Sequence, residues 1–96
     1  MKKPLRHLVV RVHALERMFE RNVSPGDVHH VIQTGQVVED YPTDTPFPSQ
    51  LILGWAGARP LHVVVADDAP GGQTVLVTVY EPDSAQWDSE FRRRTR

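Results

Sequence analysis

The apolar residues of this chain change their spacing twice. Over residues 8–12 (LVVRV) they run together and are mostly β-branched, which predicts a short strand. From His13 to Asn22 they recur at helical spacing. Ala14, Leu15, Met18 and Phe19 then fall on one side of a helix, the side a core would bury. Ser24 opens a second helix. Ser24 and Asp27 have the spacing of a capping box, and Pro25 occupies the first helical position, where its missing N–H is not needed. Val28, Val31 and Ile32 supply the apolar stripe, and Gly35 is a fitting stop.

Beyond Gly35 the pattern turns extended. GQVVEDY (35–41), QLILGW (50–55), LHVVVAD (61–67) and TVLVTVY (74–80) read as strands, separated by a proline-rich loop at 42–48, a turn from Gly57 to Pro60 and a Gly-Gly turn within 68–73. The last two runs predict an antiparallel hairpin. Strict alternation puts Leu61, Val63 and Val65 with Val75, Val77 and Val79 on an aliphatic face toward the helices, and His62, Thr78 and Tyr80 on the other. Pro82 ends the sheet, and Asp83 or Ser84 can cap a final basic helix at 84–95, with Trp87 and Phe91 turned inward. The expected order is β-α-α-β-β-β-β-α. This is an α+β class, one domain over residues 1–96, with a small antiparallel sheet carrying two N-terminal helices on one face and a C-terminal helix.

With 96 residues the chain suits one domain and no more. It has no cysteine, which excludes a disulfide framework, thiol catalysis and a cysteine-ligated zinc site within it. The apolar run after Lys2 and Lys3 stops at LVV and is interrupted by Arg11, so no signal peptide is expected. No stretch approaches the roughly 20 apolar residues of a membrane span, and a cytoplasmic location is the expectation. The net charge of −1 hides an uneven distribution: +4 over residues 1–21, −7 over 22–83 and +2 over 84–96. Basic ends that meet in space would suit a polyanion or an acidic protein.

Three groups of residues are candidates for chemistry. His13, Arg17 and Arg21 stand four apart and form one row on the first helix. With Glu16 and Glu20 alongside, the row reads either as surface ion pairing or as an anion-handling site. His62 and Tyr80, on neighbouring strands, are the parts from which proton-transfer sites are built. Arg93 and Arg94, in the basic WDSEFRRRTR terminus, complement a helix dipole or offer bidentate contacts to phosphate. A metal is not expected, because adjacent His29 and His30 diverge by about 100° on a helix and there is no HExxH pattern.

His13-Ala14-x-x-Arg17-Met18 followed by Glu20-Arg21, Pro48-Ser49 with LILG, Arg59-Pro60-Leu61-His62-Val63-Val64, Thr78-Val79-Tyr80-x-Pro82 and Trp87 together resemble the bacterial domain of unknown function 4258, over roughly residues 7 to 94. That family is similar to the RelE/ParE-like toxins, and its genes often lie beside antitoxins with a YgiT-type zinc finger. The resemblance implies the toxin of a type II toxin–antitoxin pair that cuts RNA without a metal or other cofactor, on the ribosome or off it. The ribose 2′-hydroxyl would attack the neighbouring phosphate. Such a reaction needs a base, an acid and fixed positive charge. His13 and His62 are then the acid/base pair, with Arg17 and Arg21 on the phosphate. Tyr80 orients or protonates it, and Arg93 or Arg94 add phosphate contacts. The competing expectation is a non-catalytic ParE-like or regulatory domain that binds protein through its basic termini and Trp55. In either case a cognate antitoxin is the expected partner, docked by strand addition at 50–55 or at the first hairpin edge.

Overall fold

A computed structural model describes residues 7–95. His7–Val10 forms β1, Val12–Glu20 α1, Pro25–Thr34 α2, Gln36–Tyr41 β2, Ser49–Ala56 β3, Arg59–Asp68 β4 and Gln73–Tyr80 β5. The five strands make one sheet in the order β1-β5-β4-β3-β2. β2 to β5 are an antiparallel meander, as their short connections require, but β1 runs parallel to β5. The sheet is therefore mixed rather than wholly antiparallel. β1 fills the side of β5 that the meander leaves open, and the helices and meander between them supply the long connection a parallel pair needs.

Both helices lie on one face of the sheet, α1 over β5 and α2 over β3. Ala14 and Met18 of α1, with Val28, Val31 and Ile32 of α2, pack against Ile52, Leu61, Val63, Val65, Leu76 and Val79. The capping box is present: the Asp27 amide donates to Ser24 Oγ at 3.0 Å, and the Ser24 amide donates to the Asp27 carboxylate at 3.1 Å. α2 sits so close to the sheet that a Cβ on Gly54 would lie 2.8 Å from the Val31 side chain. This close approach, rather than a turn, is what requires glycine in the middle of β3.

Two β-bulges decide which side chains face the helices. In β5 the register shifts so that Val65 faces Leu76 while Val64 faces Thr78, leaving Val77 as the extra residue. Leu76 consequently turns into the helix-side core at 1% exposure, and Val77 is left half exposed. Strict alternation had assigned these two the other way round. In β2 a second shift between Val37 and Glu39 sends Val37 toward the helices and Glu39, with Tyr41, to the opposite face. A bulge adds one residue to one strand and so inverts the facing of everything beyond it.

The expected helix at 84–95 is absent. Residues 81–95 form an irregular strap across the sheet face that the helices do not cover. Two aspartates explain the failure. Asp83 accepts the Ala85 amide at 2.8 Å, and Asp88 accepts those of Glu90 and Arg92 at 3.1 and 3.2 Å. Such local bonds offer the backbone an alternative to the helix. Phe91 then takes φ 59, a left-handed conformation that ends any helical run. The strap closes on itself as a small hairpin: Trp87 bridges Arg94, and the Thr95 amide donates to the Gln86 carbonyl at 2.9 Å.

Candidate functional site

Beneath the strap lies a polar cluster built on the back of the sheet. His62 of β4 pairs with Tyr80 of β5 and with Leu53 of β3, so it sits centrally on that face. It is fully buried. The Trp87 ring packs edge-on against it, with centroids 4.4 Å apart. His62 Nε2 lies 2.9 Å from the Phe91 carbonyl, which can only accept, so Nε2 carries the proton. Nδ1 is then the acceptor for the Tyr80 hydroxyl at 3.4 Å, a long bond. Burial lowers the His62 pKa, with Arg94 acting in the same sense and the Phe91 carbonyl and Glu39 opposing. Tyr80 is raised by burial, so it remains a phenol and a donor. Both nitrogens of a neutral imidazole are thus occupied.

One turn of the strap further on, Arg94 clasps the strap to β2. Its Nε donates to Glu39 at 3.2 Å, and its guanidinium lies 4.6 Å from the centre of the Trp87 ring. Tyr41 also donates to Glu39. Burial and that bond push the Tyr41 pKa to about 12, against the influence of Arg94. Hydrogen bonds to Glu39 and Tyr41 raise Arg94 in turn. The cluster therefore reads from Glu39 and Tyr41 through Arg94 and Trp87 to His62 and Tyr80. Its polar atoms are engaged with one another.

The row on α1 does not come together with this cluster. His13 is 91% exposed at the start of α1, with Nδ1 3.9 Å from Glu16. It lies beside Leu76 and Val77, several residues along β5 from Tyr80. Arg17 pairs with Glu20 at 3.2 Å, in the manner of a surface pair. Arg21 sits just past α1, and its guanidinium donates to the Val79 carbonyl at 2.8 Å, tying the helix end to β5. Of the C-terminal pair, Arg94 is the clasp just described. Arg93 is exposed, and its backbone carbonyl accepts the Asp88 amide.

The outer face of α1 is the more unusual feature. Val12, Leu15 and Phe19 are 70%, 54% and 90% exposed, at spacings of three and four that put them in one line. Leu15 and Phe19 were expected on the core side, but a nine-residue helix meets the sheet along a narrower band, and only Ala14 and Met18 are buried. Beside the stripe runs an open groove bordered by Met18, Val23 and Pro25, with Glu16 and Glu20 on its rim. Large exposed apolar residues in a contiguous line mark interaction surfaces.

Several contributing residues were not singled out for a role by the sequence. Glu39 and Tyr41 face the strap only because of the β2 bulge. Arg59, the first residue of β4, donates to the carbonyls of Arg21 and Asn22 and pairs with Glu81 at 3.0 Å. An arginine placed on the last carbonyls of a helix is a C-terminal cap. Its standing as the single Lys or Arg side chain in the acidic stretch 22–83 was the available signal for it. Strand 50–55, considered for strand addition, lies inside the sheet between β2 and β4, so the free edges are those of β1 and β2. Among the described residues no three His, Asp or Glu side chains are placed to hold a metal ion, and no helix is long and apolar enough to cross a membrane.

A family model, described as Domain of unknown function (DUF4258), matches residues 10–81, and the chain belongs to that family. No curated protein and no solved structure matches it. The matched region ends just after Tyr80, so the strap that covers His62 lies outside it.

Proposed function

We propose that this protein acts by binding a partner protein along the outer face of α1, as the toxin-like member of a type II toxin–antitoxin pair. The partner is then the cognate antitoxin. The observation that carries this reading is the line of Val12, Leu15 and Phe19 held in water beside an open groove. At about 1.5–3 kcal/mol per fully buried apolar side chain, scaled by their exposure, covering the three would contribute roughly 4 kcal/mol, part of which offsets the cost of association. The acids on the rim, Glu16 and Glu20, favour an apolar segment flanked by lysine or arginine. The resemblance read from the sequence motifs implies the same assignment.

A metal-independent ribonuclease is the second reading, and the adjacency of His62, Tyr80 and Arg94 favours it. It requires the strap to lift, because His62 has no exposed surface. It also leaves His13 without a proton-transfer partner in reach. Binding needs neither rearrangement.

The test is co-elution of the purified protein with the product of the gene beside its own, for wild type, Phe19→Glu and His13→Ala. Co-elution lost in Phe19→Glu and kept in His13→Ala is the expected result. A Phe19→Glu protein that still folds and still co-elutes sinks the reading. New RNA 5′ ends after induction of wild type, absent with His62→Gln, would establish the ribonuclease in its place.

A further inference from the structure

At the start of α1 a cavity of about 260 Å³ opens between the helix and the loop before β3. Its floor and back are apolar: Ala66, Val75 and Val77 of the hairpin, with Phe47 from the loop. The β5 bulge shapes this floor. It turns Val75 to the back of the sheet opposite Ala66 and leaves Val77 as the unpaired residue. Bulges beside binding sites commonly re-aim side chains in this way. On the α1 side the wall is basic, formed by Arg11 and His13. The one carboxylate at the mouth, Asp44, already accepts the Ser49 hydroxyl at 2.5 Å. Glu16 approaches His13 only to 3.9 Å, and no acid stands next to Arg11 within α1's first turn.

An apolar slot with a guanidinium and an imidazole at one end suits a flat ring that carries an anion. From this we propose that the cavity binds a nucleoside monophosphate, the base against Phe47, Val75 and Val77 and the phosphate on Arg11 and His13. Arginine offers the phosphate a two-pronged, charge-assisted contact, and an aromatic ring with branched aliphatic neighbours offers the base a face to stack on. The volume is below the usual range for drug-sized ligands and matches a single nucleotide unit rather than a dinucleotide. The same unit is presented by a free nucleotide and by the end of an RNA chain. Under this assignment His13 contacts phosphate as a binding group, and no bond is made or broken.

The experiment is titration of the isotope-labelled protein with uridine monophosphate, uridine and inorganic phosphate, followed by NMR. Saturable shifts centred on Ala66, Val75, Val77 and Phe47 are expected with the nucleotide. Binding should weaken about tenfold without the phosphate, in Arg11→Gln and in Phe47→Ala, as the loss of one charge-assisted contact or one stacking face predicts. Arg93→Gln, on the strap and outside the cavity lining, should bind as wild type. Inorganic phosphate that binds as tightly as the nucleotide would reduce the site to an anion contact and overturn the proposal. Absence of saturable shifts at millimolar nucleotide overturns it as well, as does binding that survives both cavity variants. A short uridine oligonucleotide ending in a phosphate separates the sources. Tighter binding than the mononucleotide assigns the cavity to RNA ends, and equal or weaker binding assigns it to free nucleotide.

Discussion

Lowering the pH from about 7.5 to about 5.5 should destabilise this protein through His62. The folded protein holds His62 neutral, with its pKa below the usual 6.5 because of burial, so the unfolded chain binds a proton the native state refuses. The stabilising contribution is complete above about pH 6.5 and is lost as the pH falls from there through the lowered native value. At pH 5.5, one unit below the unfolded pKa, the loss approaches about 1.4 kcal/mol if the native imidazole stays neutral. The other four histidines are all exposed. Asp88, held low by the amides of Arg92, Glu90, Arg93 and Phe91 against some desolvation, loses its contribution only below about pH 4 and does not enter this window. Urea unfolding followed by tryptophan fluorescence is the assay, since Trp87 packs on the His62 ring. The midpoint should fall by roughly 1 M between the two pH values for a domain of this size. His62→Gln should be less stable at pH 7.5 and should show almost no further loss at pH 5.5. A wild-type midpoint independent of pH, or an equal shift in His62→Gln, would refute the assignment of a neutral, fully engaged imidazole.

The clasp and the packing make three smaller claims. Arg94→Ala removes the Glu39 ion pair and the Trp87 contact, both partly solvated, and should cost about 0.5–1 kcal/mol while making the strap markedly more sensitive to chymotrypsin. Unchanged proteolysis would show that Arg94 does not hold the strap. Arg59→Ala uncovers the carbonyls of Arg21 and Asn22 and should lower Tm by roughly 8 °C, equivalent to about 1.5 kcal/mol, in a calorimetric scan. Gly54→Ala drives a methyl into Val31 and should cost about 2 kcal/mol by urea titration. A neutral result there would mean that α2 sits further from the sheet.

The elements were legible in the sequence wherever period and punctuation agreed. Ser24, Pro25 and Asp27 announced α2, and the alternation in 61–67 announced β4. What the sequence hid was everything that depends on one extra residue. The bulges at Val38 and Val77 are not marked by glycine or proline, so no local signal breaks the alternation. Yet they place Glu39 and Tyr41 under the strap and Leu76 in the core. The C-terminal run misled for a different reason. Trp87 and Phe91 have helical spacing, but Asp83 and Asp88 capture their own downstream amides, and an Asx turn competes best where the helix would be short and solvated. His62 was legible as a residue on the second face. That this face is covered, and the histidine therefore satisfied rather than available, depends on the strap.

The residues of α1 exchange the roles that their chemistry suggests, and this exchange favours binding over catalysis. A nine-residue helix with two buried side chains is marginal on its own. It is fixed instead by polar contacts at its end: Arg21 on the Val79 carbonyl, and Arg59 on the carbonyls of Arg21 and Asn22. Arg21 is therefore committed to the fold, and moving it toward a phosphate would release the helix it anchors. The large apolar residues suited to anchoring the helix, Val12, Leu15 and Phe19, face water. A side chain 90% exposed contributes little to folding and promotes association, so stability alone does not account for Phe19. On the proposed reading, an anchored helix with a free apolar face can dock a partner without rearrangement, whereas the catalytic assignment would require Arg21, Arg94 and His62 to leave the contacts they make here.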